Sequence, residues 1–210
     1  MGSQPRIGVL AVQGAVAEHE RALAEVGAAA VRVRDEAGLV DLAGLVIPGG
    51  ETTTLRRVAG DSGLVDALRA ARRGGLPILG TCAGLIALAD EILDGDPTLV
   101  GGLDIGVRRN AYGRQVASFE TLLAIDGIGQ GSVEAVFIRA PVIERVREGV
   151  RVHATHRGRA VAVSDGPLLG LCFHPELTAD RRFHEWLVGR AEAYARGSSE
   201  HTKEALGVGA

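Results

Sequence analysis

The sequence predicts an α/β fold of three layers, with a mostly parallel central sheet between helices and additional antiparallel strands in the second half. Three observations lead there. Strand and helix signals alternate from residue 7 to about residue 93, a βαβα pattern that places a parallel sheet between helices. The chain is 46% hydrophobic but only 3% aromatic, so its core has to be built from Val, Leu, Ile and Ala, the residues of buried parallel strands. From residue 103 onward the pattern changes to short Val-, Ile- and Thr-containing runs broken by Gly, Asn and Asp, which reads as antiparallel strands.

The elements follow in chain order. Ile7 to Val12 is an apolar run stopped at Gln13-Gly14, and Ala15 to Val26 has helical spacing with Val16, Leu23 and Val26 apolar among charges. Ala29 to Arg34 and Leu45 to Ile47 are the next strands, the latter ended by Pro48-Gly49-Gly50. Thr52 to Arg73 is helical with a break at Gly60 to Gly63. Leu76 to Leu79 is a strand and Ala83 to Leu93 a helix. The later strands are Asp104–Arg108, Ser118–Ile125, Val133–Ile138, Val150–Thr155, Ala160–Ser164 and Leu168–Phe173, closed by a helix over Asp180–Tyr194. No repeat or linker divides the 210 residues, so residues 1–195 are expected to form a single domain. Residues 196–210, polar and Gly/Ser-rich, are expected to be a flexible tail.

The net charge is −3 with acids and bases mixed along the chain, which argues against nucleic-acid or membrane-surface partners. The first apolar run is too short for a signal peptide, and no stretch approaches the ~20 apolar residues of a membrane-spanning helix. Two cysteines make no disulfide framework, and a reducing, cytoplasmic setting is expected.

One of those cysteines, Cys82, sits in Leu79-Gly80-Thr81-Cys82-Ala83-Gly84-Leu85, between a predicted strand and a predicted helix. The spacing Gly-x-Cys-x-Gly is that of a nucleophile elbow with Cys in place of Ser. Small neighbours let the chain turn sharply there, the helix N-terminus favours negative charge on sulfur, and the Ala83 N–H points where an oxyanion would form. Taken alone, the pattern fits a buried structural cysteine equally well.

A nucleophilic Cys needs a base, and His174 stands out among the six histidines, in Phe173-His174-Pro175-Glu176 directly after an apolar run. Pro175 biases His174 toward extended geometry, which would put Glu176 on the same side and let it orient the imidazole. Cys172 also lies near His174 but has no glycine elbow, and it reads as an apolar filler. His19 and His184 fall on polar-looking helical segments and are expected to be solvated. His153 and His156 lie around a strand end, and no pair has metal-ligand spacing. A third element, Pro48-Gly49-Gly50-Glu51-Thr52-Thr53-Thr54, permits close backbone approach to a ligand. Gly50 could supply a second oxyanion donor, or the stretch could be a plain tight turn with a Thr cap.

Gly-Thr-Cys-Ala-Gly, His-Pro-Glu and the Pro-Gly-Gly loop together resemble the triad-type (class I) glutamine amidotransferases, whose sheet is flavodoxin-like. Ala11–Glu20 (AVQGAVAEHE), Pro48–Leu55 (PGGETTTL), Arg108–Glu120 (RRNAYGRQVASFE) and Val136–Pro141 (VFIRAP) are similar to the glutaminase subunits of the ribose-5-phosphate-dependent pyridoxal 5'-phosphate synthases. This resemblance runs from about Ile7 to Tyr194. It implies that Cys82 attacks the side-chain amide of L-glutamine with assistance from His174 and Glu176, forming a glutamyl thioester. It implies glutamine-binding roles for Gly50, Glu51, Thr52, Arg109, Ile138 and Arg139, with Thr52 standing where most members of the family carry Ser. It also implies a synthase subunit as partner in a ring-forming heteromeric complex, which receives the ammonia through an internal channel and gates the glutaminase. No cofactor is implied, because pyridoxal phosphate is the product of that complex. Other readings of the same residues are a glutaminase serving another pathway, a regulatory subunit with a dead site, and a Cys peptidase or chaperone-like relative.

Overall fold

A computed structural model describes residues 4–50, 56–57, 63–109 and 118–205, with side chains described through Gly197. Its first half contains β1 (Arg6–Leu10), α1 (Val16–Glu25), β2 (Ala29–Val33), β3 (Gly44–Ile47), α2 (Leu64–Arg73), β4 (Ile78–Thr81) and α3 (Ala83–Leu88). The second half contains β5 (Ala89–Ile92), β6 (Leu103–Arg108), β7 (Ser118–Ala124), β8 (Ser132–Ile138), β9 (Val142–Val146), β10 (Arg151–His156), β11 (Arg159–Asp165), β12 (Leu168–Leu171) and α4 (Arg182–Ala205).

The main sheet has seven strands in the order β10-β11-β12-β4-β3-β1-β2. The five from β12 to β2 are parallel, and β10 and β11 add an antiparallel edge. Every residue of β3, β4 and β12 is buried, as expected of strands covered on both faces. A smaller sheet, β5-β6-β9, and the β7–β8 hairpin complete the strands among the described residues.

The strand order brings the carboxyl ends of β12, β4, β3 and β1 side by side. In open α/β sheets this edge is where ligands bind. Here the four ends lead into Cys172–Glu176, Cys82, Pro48–Gly50 and Gln13–Gly14.

The aromatic side chains are few but concentrated. All four Phe residues of the chain form one stack. Phe119 lies 4.5 Å from Phe137, Phe137 lies 5.6 Å from Phe173, and Phe173 lies 5.5 Å from Phe183, ring centre to ring centre. Each such pair adds about 0.5–1.5 kcal/mol beyond its area burial. The stack ties the β7–β8 hairpin to the turn after β12 and to α4, so the end of β8 is fixed beside His174.

Three element boundaries differ from the sequence reading. The helix expected over Ala83–Leu93 ends at Leu88, where Ala89 adopts extended angles (φ −65°, ψ 139°), and Ala89–Ile92 becomes β5. The pattern Ala89-x-x-Ile92 suits either period, and parallel pairing with β6 decides for the strand. β9 was not expected: its Glu144-Arg145 pair hides the signal, and its antiparallel pairing with β6 makes it a strand. The last helix runs to Ala205, past the expected end at Tyr194; residues 196–205 contain one Gly and no Pro, so nothing in them stops a helix.

Gly80 and Gly84 are required by close approach. A Cβ on Gly80 would lie 2.7 Å from the Gly84 backbone, and one on Gly84 would overlap the Ile47 carbonyl oxygen. Helix α3 can therefore sit directly on β3 and β4 only while both stay glycine. Gly84→Ala is expected to destabilise the fold by about 1–3 kcal/mol, the usual cost of overpacking. Urea unfolding of the variant against the parent chain measures it, and an unchanged midpoint would contradict this packing account.

Candidate active site

Cys82 is the single residue between β4 and α3, and it carries the turn in its own backbone, with φ 49° and ψ −102°. A non-glycine residue held at such angles costs on the order of 1–3 kcal/mol and persists only when its surroundings enforce it. The enforcement is visible. The Cys82 N–H donates to the Leu171 carbonyl at 2.8 Å, and its carbonyl accepts from Ile86 N–H at 3.3 Å. The predicted elbow is thus present, with the unusual angle on the cysteine and the flanking glycines giving α3 room. Ala83 opens α3, so its N–H lies in the first helical turn, where backbone donors have no intrahelical partner.

His174 follows β12. Its backbone N–H donates to the Val136 carbonyl at 2.9 Å, which locks the turn to β8. Its ring and Cys82 Cβ both close on the same point beside Gly49, where a Cβ would find no room, and Nδ1 stands 2.8 Å from Glu176 Oε1. The structure therefore brings Cys82, His174 and Glu176 together. The route differs from the extended segment expected from sequence. Pro175–Leu177 forms a 3-10 turn, and that turn swings Glu176 back onto the imidazole.

The Gly49–Gly50 turn backs onto this group. Gly49 N–H donates to Thr81 Oγ1 at 3.0 Å. A Cβ on Gly49 would overlap the His174 ring and lie 3.2 Å from Cys82 Cβ. Gly50 has φ 152°, and a side chain there would overlap the Gln13 amide; Gly14, at φ 92°, packs equally close to the Gly49 carbonyl. Gln13 and Gly14 thus shape the Gly49–Gly50 turn from the end of β1, a role that strand periodicity alone does not signal.

The other expected ligand-binding positions are distributed unevenly. Ile138 is at the site, its carbonyl 3.7 Å from Cys82 Sγ and accepting from it. Arg139 follows with φ 45°, a strained backbone one residue beyond the Ile138 carbonyl that faces Cys82. Arg109, at the end of β6, has its guanidinium engaged by Asp96 at 2.6 Å and Asp94 at 3.5 Å, so a ligand carboxylate would compete with two acids for it. Glu51 and Thr52 lie outside the described residues.

Two histidines expected to be solvated are instead fully buried behind Glu176. His19 and His184 are each 0% exposed. His19 shares a helix face with Ala22 and Leu23, and His184 shares one with Leu187, Val188 and Ala191. These spacings of three, four and seven put both rings on the apolar stripe, so the signal was available in the sequence and was obscured by the charged neighbours. His19 Nδ1 lies 3.0 Å from His184 Nε2, and His19 Nε2 lies 3.4 Å from both Glu176 Oε2 and Thr81 Oγ1.

Burial sets the charges. It opposes protonation of His174, but the hydrogen bonds to Cys82 and Glu176 outweigh it and push the His174 pKa up to about 10. Burial would raise Glu176, yet the hydrogen bond to His174 and the proximity of His19 hold it below the usual carboxylate value. His19 is lowered by burial, and His184 is lowered to about 3 by burial and by His19. Full burial pushes the Cys172 thiol up, which suits a packing residue and not a nucleophile.

Two predictions follow from this electrostatic pattern. His174, raised from 6.5 to about 10, contributes stability that is complete below pH 6.5 and fades as pH rises toward 10. His19 and His184, both lowered from 6.5, contribute stability above that pH that is lost on acidification, and Glu176, lowered from 4.5, adds to the loss below its own reference value. Unfolding free energy is therefore expected to peak near pH 6.5, and His184→Leu should flatten the acid limb; a urea series from pH 4 to pH 10 tests both. Separately, Cys172→Ala should keep most of whatever activity Cys82 supports, at a stability cost of about 1 kcal/mol for a small core truncation, read from an activity assay and a melt on the same sample.

Comparison with known proteins agrees with this geometry. The model of the SNO glutamine amidotransferase family matches residues 9–193. A protein of Parafrankia sp. (strain EAN1pec) named pyridoxal 5'-phosphate synthase subunit PdxT is 56% identical over 188 residues, covering 89% of this chain and 93% of the relative. A protein of the same name from Frankia casuarinae is 50% identical over 197 residues, 93% of this chain and 99% of the relative. A crystal structure described as a glutamine amidotransferase superposes with a TM-score of 0.83 at 44% identity, covering 89% of this chain and 98% of its own. With a family model spanning nearly the whole sheet and a Cys-His-Glu group at its carboxyl edge, this chain belongs to the SNO glutamine amidotransferase family.

Proposed function

We propose that this protein hydrolyses L-glutamine to L-glutamate and ammonia and serves as the glutaminase subunit of a pyridoxal 5'-phosphate synthase. The observation that carries the reading is the strained elbow at Cys82 beside a His174 ring that Glu176 holds from behind.

The chemistry runs in two halves. Cys82 Sγ attacks the side-chain amide carbon of glutamine, and its proton resides on His174, whose raised pKa suits that task. Negative charge develops on the amide oxygen, and the N–H groups of Ala83 and Gly50 are the donors proposed to receive it. The C–N bond then breaks, His174 gives its proton to the departing nitrogen, and ammonia leaves. Water next attacks the glutamyl thioester, His174 takes one of its protons, and glutamate departs as the thiol is restored. Glu176 keeps the imidazole oriented and its charge balanced throughout.

Gly50, Glu51, Thr52, Arg109, Ile138 and Arg139 are proposed to bind the glutamine; a guanidinium suits the α-carboxylate. The names of the relatives support the synthase partner. In this reading the partner receives the ammonia, makes pyridoxal 5'-phosphate from ribose 5-phosphate and glyceraldehyde 3-phosphate, and assembles with this subunit in a ring-forming complex. Among the described residues no helix is long and apolar enough to cross a membrane. Both cysteines are free, and a nucleophilic thiol is best served by the reducing cytoplasm.

The test is a glutamine-hydrolysis assay with and without the cognate synthase subunit. The chain alone is expected to be slow and the pair fast. Cys82→Ala should reduce turnover of the pair by at least about 10³-fold, as loss of a triad nucleophile does elsewhere, while docking and the melting point are retained. Glutamate release by that variant at near parental rate would show that another group is the nucleophile.

A further inference from the structure

The buried His19–His184 pair has no part in the mechanism above. Glu176 has two carboxylate oxygens and is 1% exposed. Oε1 is taken by His174 at 2.8 Å, whereas Oε2 accepts no well-formed hydrogen bond among the described residues. A half-held buried carboxylate is costly, and it is free to rotate away from the imidazole that it orients. The group nearest to satisfying Oε2 is His19 Nε2, at 3.4 Å.

The hydrogen-bond network assigns the protons. His184 Nδ1 is buried with no partner, so it is better left as an unprotonated acceptor than as an orphaned N–H. His184 then carries its proton on Nε2 and donates it to His19 Nδ1, 3.0 Å away. His19 in turn carries its proton on Nε2, facing Glu176 Oε2 and Thr81 Oγ1. The opposite assignment would strand a donor at His184 Nδ1 and set the His19 lone pair against the carboxylate. Every donor thus points the same way, from α4 through α1 to the triad. Both rings are uncharged in this arrangement, in keeping with the burial that lowers them against the pull of Glu176 and Glu18 and alongside the nearby charges of His174 and Arg181.

We infer that His19 is a positioning residue for the reaction: its Nε2–H steadies Glu176 Oε2 so that Oε1 stays on His174, and His184 holds His19 in the tautomer that makes this possible. The inference rests on the glutaminase reading. The 3.4 Å separation in the free chain leaves room for the contact to shorten when the triad engages glutamine.

The experiment compares His19→Leu, His19→Gln, His19→Asn and His184→Leu, each paired with the synthase subunit, in glutamine hydrolysis. It also follows alkylation of Cys82 by iodoacetamide across pH, which needs no glutamine. A Gln amide nitrogen replaces Nε2, whereas an Asn amide falls near Nδ1. Expected are kcat losses of about tenfold or more for Leu and Asn at little-changed KM, in the range typical of removing an outer hydrogen-bond partner. Gln should restore most of the rate, and His184→Leu should fall between. The pH profile of alkylation should shift in the Leu and Asn variants and not in Gln. If folded Leu and Asn variants keep the parental kcat and alkylation profile, or if Gln is as impaired as Leu, His19 only fills space and the inference fails. If the parental pair does not hydrolyse glutamine, the functional reading fails instead, and the alkylation profiles still decide the role of His19.

Discussion

A carboxylate buried at 1% exposure must be held by donors, and Glu176 is the constraint around which this molecule is organised. Among the described residues its nearest side-chain partner is His174, whose ring lies beside Cys82. The 3-10 turn at Pro175–Leu177 supplies the reach, and the Val136 carbonyl and the Phe stack keep that turn in place. The attraction is mutual: each member of the pair shifts the other toward its charged form, which keeps a proton on His174 beside the sulfur.

The second requirement is proximity of chains that are far apart in sequence. Cys82 can meet His174 because β4 and β12 are neighbours in register, with Thr81 opposite Leu171. The Gly49–Gly50 turn can meet both because β3 is β4's other neighbour. Such closeness leaves no volume for side chains, which is why Gly14, Gly49, Gly80 and Gly84 each face backbone or the His174 ring at a distance no Cβ tolerates. Cys82 and Arg139, like Asp41 and Arg157 elsewhere, hold positive φ angles, and at Cys82 the buried sheet around the turn is stiff enough to sustain the strain.

Much of this was legible in the sequence. The parallel half of the sheet, the elbow at Cys82 and the His174-Pro175-Glu176 segment were readable because strand and helix periods, strand-end glycines and a His-Pro-Glu run directly after an apolar strand are local features. The same locality explains the misses. Ala89–Ile92 is locally ambiguous, and β9 carries charges at its centre, so only pairing with β6 defines either as a strand. His19 and His184 sit 165 residues apart, among charges that suggest solvent, although each is in phase with apolar neighbours.

By itself the sequence determined the alternation of strand and helix in the first half, the sharp turn at Cys82 and the pairing of His174 with Glu176, because each is encoded within a short stretch of chain. Only the tertiary structure decided that Gln13 and Gly14 shape the turn opposite Cys82, that Arg109 is held by Asp94 and Asp96, and that two buried histidines stand behind Glu176. Those facts depend on which strand ends and helix faces meet. That meeting is settled by burying several apolar faces at once, a global condition that no single stretch of chain carries.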